Sequence, residues 1–310
     1  GLVGSEMCIR DRFGGVFGVT KGLAKKYSRK RVIDTPIAEH ITLSTAVGAA
    51  ATGLRPIAEL MFNDFIGFGL DPILNQGAKM RYMFGGKAKI PLVVRTVHGA
   101  GASAAAQHSQ SLYNMFAAIP GVKVVVPSNP YDAKGLLMSA IQEDNLVVFS
   151  EDKTLLGQKG NVPEEPYTIE IGKANVTREG DDLTIVAIGK MVAVAEETAE
   201  KLADDQVSVE VIDLRSVSPW DQETVLDSVK KTGRLIVIDE SNPQCNIAGD
   251  VASVIGDVGF DYLDGPIKKV TAPDTPVPFA ANLEAAYMPN ADKVLDIASE
   301  LIDDLKKANA

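Results

Sequence analysis

Three short stretches carry side chains that could do chemistry. The first is RVIDTPIAE, residues 31–39, an extended segment ending in Glu39 and followed by an apolar, small-residue run over 41–54. A carboxyl at the mouth of such a run is expected to be half withdrawn from water. That favours its protonated form and makes it a usable proton carrier. Equally, Glu39 could be a helix N-terminal carboxylate that only balances the helix dipole. The second stretch is Gln107-His108-Ser109-Gln110, at a loop-to-helix transition among small residues. A histidine there has room for a substrate, or it caps the helix. Ser109 adjoins His108 in sequence, which is not how a nucleophile and its base usually meet, so a Ser/His/Asp triad is disfavoured. The third is Asn63-Asp64-Phe65, where the aromatic is either core or a platform for a flat ligand. No phosphate-binding GxxxxGK, dinucleotide GxGxxG after a strand, GxSxG or HExxH occurs.

These residues need a scaffold, and the chain supplies a repeated one. Apolar runs at 55–61, 91–97, 123–127 and 146–151 predict strands, and the patterns at 64–84, 109–119 and 130–142 predict helices. The alternation resumes with strands at 183–188, 207–213, 234–239 and 267–271. Helices are predicted at 193–202, 222–231, 248–255 and 291–307. Two βα series imply two α/β domains with mostly parallel sheets. The division expected is 13–160, a Gly-, Pro- and charge-rich linker at 161–182, and 183–310. The opening twelve residues, GLVGSEMCIRDR, read as a non-native, adapter-like segment and are set apart from the fold. On that reading the first domain is truncated at its N-terminus.

Composition narrows the classes. The 310 residues are 45% hydrophobic and 23% charged, the balance of a folded protein. Two cysteines, Cys8 and Cys245, cannot build a disulfide framework, and three histidines cannot build a multi-histidine metal site. No run of about 18 apolar residues could span a membrane, so a soluble, cytoplasmic protein is expected. The net charge of −10 is uneven: residues 1–160 hold 18 Lys+Arg against 12 Asp+Glu, and residues 161–310 hold 13 against 29. The acidic half repels phosphate and argues against a nucleic-acid partner. It is a solvated surface, or a docking face for a basic partner.

The motifs DTPIAEH, ATGLRPIAELMFNDF, NQGAKMRYMFGG, AAAQHSQS, IPGVKVVVPSNPYDAKGLL, TGRLIVIDES and TAPDTPVPF, in this order, carry a resemblance. Together they resemble the beta subunits of thiamine diphosphate-dependent 2-oxo acid dehydrogenases. GGVFGVTKGL, MFGGKAKIPLVVRT and DDLTIVAIGKMV look most like the acetoin dehydrogenase branch. The resemblance covers residues 13–310. It implies an α/β fold of two domains, one transketolase-like and pyrimidine-binding, one of transketolase C-terminal type, each with a mostly parallel sheet flanked by helices.

It also implies roles. Glu39 matches the glutamate that hydrogen-bonds the cofactor's aminopyrimidine ring and drives proton removal from the thiazolium carbon. Ile37 and Phe65 match residues of the same pocket, with Phe65 stacked on the ring. His108 matches the histidine near the reactive carbon that handles protons during transfer to lipoamide. A structural potassium is implied at the positions matching Leu92, Ala140, Ile141, Glu143 and Asn145, although QEDNL departs from the family's usual pattern there. His40, directly after Glu39, is expected to point away from it. The Gly-Asp pairs at 180–181, 249–250 and 256–257 lack the context of a magnesium-diphosphate site. Magnesium is therefore expected on an alpha subunit, in an α2β2 heterotetramer that serves a lipoyl domain and a dihydrolipoyl acyltransferase core. The activity implied is cleavage of acetoin or decarboxylation of a 2-oxo acid, with reductive acylation of lipoamide. The alternatives are a pyruvate dehydrogenase beta subunit and a non-catalytic assembly subunit.

Overall fold

A computed structural model describes residues 6–9, 14–15 and 17–308. It divides into two compact units. One takes the described residues up to His98 together with Met115–Ile171. The other takes Gly99–Asn114 together with the residues from Gly172 onward. The loop that bears His108 thus groups with the second unit, although the sequential division places it inside 13–160.

In the first unit six strands run parallel: β1 (Glu6–Ile9), β2 (Val32–Ile33), β3 (Arg55–Phe62), β4 (Val93–His98), β5 (Lys123–Val125) and β6 (Val147–Asp152). Their order is β5-β6-β4-β3-β1-β2. The segment set apart as non-native therefore enters the fold: Glu6–Ile9 pairs with β3 on one side and β2 on the other. Without it the open backbone edge of β3 would have no neighbour. Residues 1–5 and 10–12 of that segment lie outside the described residues. Every residue of β4 is buried, as expected for a parallel strand covered on both faces. Val93, Val125, Val147 and Phe149 pack there against Leu136, Ala140 and Ile141 of the helix Pro130–Gln142. Asn129 caps that helix by accepting the Asp132 N–H at 2.9 Å, with Pro130 as its first residue.

The single helix expected over 64–84 is broken into short pieces. A 3₁₀ turn (Asn63–Phe65) leads into the helix Ile66–Asp71, a π-helical turn (Pro72–Gly77) and the helix Met80–Met83. Gly69 leaves helical geometry at φ −116° and ψ 15°, and Pro72 has no N–H to continue the ladder. The Ala78 N–H instead reaches back five residues to Ile73 O.

In the second unit the strands are β7 (Asn175–Arg178), β8 (Leu183–Ala187), β9 (Val209–Asp213), a short β10 (Ser216–Ser218), β11 (Leu235–Asp239) and β12 (Lys268–Thr271). The five-stranded sheet has the order β12-β11-β8-β9-β7, parallel except for β7. The antiparallel edge strand β7 falls inside the span read as linker. Helix Met191–Ala203 buries Met191, Ala195, Ala199 and Leu202, a stripe at helical spacing, against Leu183, Val211 and Ile236. Val294, Ala298 and Leu301 of the helix Ala291–Ala308 join the same core.

Candidate active site

All six strands of the first unit are parallel, so their C-terminal ends share one edge, where open α/β sheets bind ligands. Glu39 comes six residues after β2 and opens the helix Glu39–Ala51. It is half-buried. The hydroxyls of Thr35 and Thr42 lie 3.1 Å apart and tie the extended segment to the first helical turn. Ile37, on that segment, is 75% exposed, as are Ile41 at 63% and Phe68 at 71%. His40 is exposed.

Phe65 follows β3 directly. Its ring meets Phe62 edge-on at 5.9 Å, and Phe62 meets Phe17 at 5.8 Å. Gly69 brings this segment close to Glu39. A Cβ there would lie 2.3 Å from Leu43 Cδ1 and 3.7 Å from the Glu39 carbonyl oxygen.

Between β3 and Phe65 sits Asn63, fully buried, with neither amide atom hydrogen-bonded among the described residues. On the neighbouring strand β4 the buried Thr96 hydroxyl is likewise unpaired. A buried polar group without a partner costs about 1–3 kcal/mol. Each such group calls for a partner that the described residues do not supply, a water or a bound polar group. Nearby, His98 ends β4 and its Nδ1 lies 2.8 Å from the Ser150 hydroxyl of β6. One residue beyond that hydroxyl, Glu151 shares Arg95 with Glu59, at 2.5 Å and 3.7 Å. Burial, opposed by Arg95 and aided by Glu59, pushes the Glu151 carboxyl above its ordinary range.

In the second unit His108 is half-buried, on a turn where its N–H donates to Ala105 O at 3.2 Å. It does not open a helix, since the next one begins at Tyr113. Its loop is held in a costly conformation. Ser103 and Ala105 have φ of 50° and 60°, which side-chain-bearing residues seldom adopt.

Two buried carboxylates hold this loop. Glu240, just past β11, accepts the Ala100 N–H at 2.5 Å and the Lys190 ammonium at 2.9 Å. Lys190 also donates to Ala100 O at 2.6 Å. Glu284 accepts the Gly101 and Ser103 N–H groups, both at 2.8 Å. Sequence reasoning named Asn63 only as the start of the Phe65 stretch, with no role of its own, and missed Lys190, Glu240 and Glu284. Glu240 had a signal, a carboxylate directly after the buried run RLIVID. Glu284 had none, because its helix Ala281–Tyr287 was not expected.

The structure thus sets Ile37, Glu39 and Phe65 in the first unit and His108 in the second. The expected potassium positions lie in the first unit. Leu92 precedes β4, Ala140 and Ile141 end the helix Pro130–Gln142, and Glu143 and Asn145 follow it.

The sequence matches two family models: transketolase, pyrimidine binding domain, over residues 3–159, and transketolase, C-terminal domain, over residues 172–294. A split gene transketolase, an inactive beta4 tetramer, superposes with a TM-score of 0.79. It has 22% identity and covers 96% of this chain and 92% of that one. The two family models together place the chain among the thiamine diphosphate-dependent proteins of the transketolase type. The acetoin:2,6-dichlorophenolindophenol oxidoreductase subunit beta of Bacillus subtilis is 57% identical, over 94% of this chain and 85% of that protein. Its counterpart from Cupriavidus necator is 52% identical over 92% and 84%. The pyruvate dehydrogenase E1 component subunit beta of Rhizobium meliloti is 44% identical over 95% and 64%. The chain belongs to the beta subunits of the acetoin and 2-oxo acid dehydrogenases. Among the described residues, no helix is long and apolar enough to cross a membrane.

Proposed function

We propose that this chain is the beta half of an acetoin-cleaving dehydrogenase and supplies the aminopyrimidine side of a thiamine diphosphate site. The observation that carries the reading is the unpaired Asn63 amide, buried between β3 and Phe65, at the same sheet edge as the half-buried Glu39. An aminopyrimidine offers donors and acceptors to the amide and the carboxyl, and a face to the Phe65 ring. When bound, thiamine diphosphate supplies the carbon nucleophile and the electron sink. Glu39 holds a proton at the ring nitrogen, Phe65 and Ile37 bound the ring, and His108 moves protons at the substrate. The anchored loop of the second unit sets where His108 can stand.

The diphosphate and its magnesium are assigned to a partner alpha subunit. Each Gly-Asp pair of this chain has a structural task instead. A side chain at Gly180 would strike the Val209 backbone at 2.2 Å. Asp250 accepts the Trp220 indole N–H at 2.9 Å, and Gly256-Asp257 lies inside the helix Ile247–Val258. The exposed Ile37, Ile41 and Phe68 beside Glu39 are the kind of surface a partner covers. The proposed assembly is α2β2, docked on a dihydrolipoyl acyltransferase core and transferring to its lipoyl domain. Cytoplasmic localisation is part of the same reading.

The test is dye-linked turnover of the chain co-expressed with its alpha subunit, given thiamine diphosphate and magnesium, with acetoin and pyruvate compared. Acetoin should be preferred. Preference for pyruvate would move the chain to the pyruvate branch, and no turnover of any 2-oxo acid or acetoin would leave an assembly subunit.

A further inference from the structure

Lys153 is 8% exposed, although lysine is among the residues least often buried. It directly follows β6, at the edge where the strands of the first unit end. Hydrogen bonds on both sides fix its backbone. Its N–H donates to His98 O at 3.1 Å, which carries the pairing of β4 with β6 one residue further. Beyond it, the Thr154 N–H and hydroxyl both donate to Asp152 Oδ1, at 2.8 Å and 2.5 Å, and the Leu155 N–H donates to Asp152 O at 3.0 Å. The side chain therefore leaves a turn held in one conformation.

From that turn the ammonium reaches an aromatic ring. Lys153 Nζ lies over Phe62, 5.9 Å from the ring centroid, within the range of a cation–π contact. Phe62 is the last residue of β3 and meets both Phe65 and Phe17 edge-on. The cation thus stands on the face of a ring whose other neighbours are set by its tilt. Burying an ammonium costs more than burying a methionine of the same reach, so filling space does not account for a lysine here. A cation is drawn to the face of a ring and not to its edge, and so fixes the plane of Phe62. The edge-on contact with Phe65 depends on that plane.

We propose that Lys153 is a positioning residue of the candidate site. Acting through Phe62, it sets the tilt of the Phe65 ring, and with it the affinity for a flat heteroaromatic ligand. The proposal rests on the reading of Phe65 as the platform for the aminopyrimidine. Lys153 lies in none of the motifs that carry the family resemblance.

The test compares Lys153→Met, which keeps the reach and removes the charge, with Lys153→Arg, which keeps the charge and stacks on aromatic faces. Thiamine diphosphate is titrated with magnesium into the enzyme assembled with its alpha subunit, and calorimetry gives the dissociation constant. Near-UV circular dichroism of the chain without cofactor reads the order of the aromatic rings. Lys153→Met should weaken binding about 2- to 30-fold, the span of one cation–π contact, and alter the near-UV spectrum. Turnover at saturating cofactor should stay within about twofold of the parent, because the contact is made equally in ground and transition states. Lys153→Arg should restore both binding and spectrum. A Met variant with the parent's dissociation constant and spectrum would overturn the proposal. So would an Arg variant as impaired as the Met variant, since charge would then not be what matters. If Lys153→Met does not fold, Lys153→Arg must match the parent and Phe62→Leu must weaken binding; failure of either refutes the role. If the parent itself does not bind thiamine diphosphate, the reading of Phe65 as the platform fails, and the positioning of the rings is still decided by the near-UV spectra: an unchanged spectrum in the Met variant refutes it.

Discussion

Glu284→Gln tests whether the second unit holds the His108 loop by buried charge-assisted hydrogen bonds. Glu284 is 2% exposed and accepts two backbone N–H groups, from Gly101 and Ser103, each at 2.8 Å. Glutamine keeps the shape but offers one acceptor oxygen, and its NH2 group faces the other N–H as donor against donor. One hydrogen bond to a charged acceptor is lost, worth about 1.5–3 kcal/mol. That raises the population of the opened loop roughly 10- to 150-fold. The strain at Ser103 and Ala105 pulls the same way, because those residues relax once released. Hydrogen exchange of the segment 99–110 reads the change directly. The segment should exchange faster by that factor while the β8 amides stay at the parent rate. Unchanged exchange in 99–110 would refute the anchoring argument. A uniform rise across both segments would mean that Glu284 supports the whole unit and not the loop.

Three further outcomes follow from the same structure. Asn63→Leu replaces an unpaired buried amide by an apolar group of similar size, so the unfolding temperature should rise while turnover with the partner subunit falls; a drop in both would show that the amide is satisfied in the fold. Glu151 holds its proton above the unfolded carboxyl's pH range. The folded state then binds more protons than the unfolded state as pH rises from about 4.5, and stability falls through that window; Glu151→Gln should flatten this slope in urea titrations at stepped pH, and a parallel profile would contradict the burial argument. Binding of the assembled enzyme to a basic acyltransferase segment should weaken with salt, mainly through a slower association rate, because residues 161–310 hold 29 Asp+Glu against 13 Lys+Arg; a salt-independent rate in surface plasmon resonance would leave that face merely solvated.

Much of the scaffold was legible because parallel strands buried on both faces read as continuous apolar runs, as RLIVID and PLVVRTV do. The breaks were legible only in hindsight. The pattern over 64–84 keeps helical spacing, yet Gly69 and Pro72 interrupt the backbone. Glu6–Ile9 looked foreign by composition, and only its pairing with two neighbours brings it into the sheet. Glu39 and Phe65 stood out through local context, a carboxylate before an apolar run and an aromatic after a strand. Asn63 did not, because an amide's unmet hydrogen bonds are a property of three-dimensional burial. Lys190, Glu240 and Glu284 meet the loop at Ala100, Gly101 and Ser103 from sequence separations of 90 to 183 residues. No short motif records such contacts.

The most direct test of the account is Glu39→Gln in the enzyme reconstituted with its alpha subunit. Glutamine preserves the hydrogen-bonding shape at the start of the helix Glu39–Ala51 but cannot hold or release the proton the chemistry needs. Dye-linked turnover should fall by about 10²- to 10⁴-fold, with assembly by sedimentation and cofactor content unchanged. Turnover within about threefold of the parent, in a correctly assembled and cofactor-loaded complex, would remove Glu39 from the reaction and contradict the central claim.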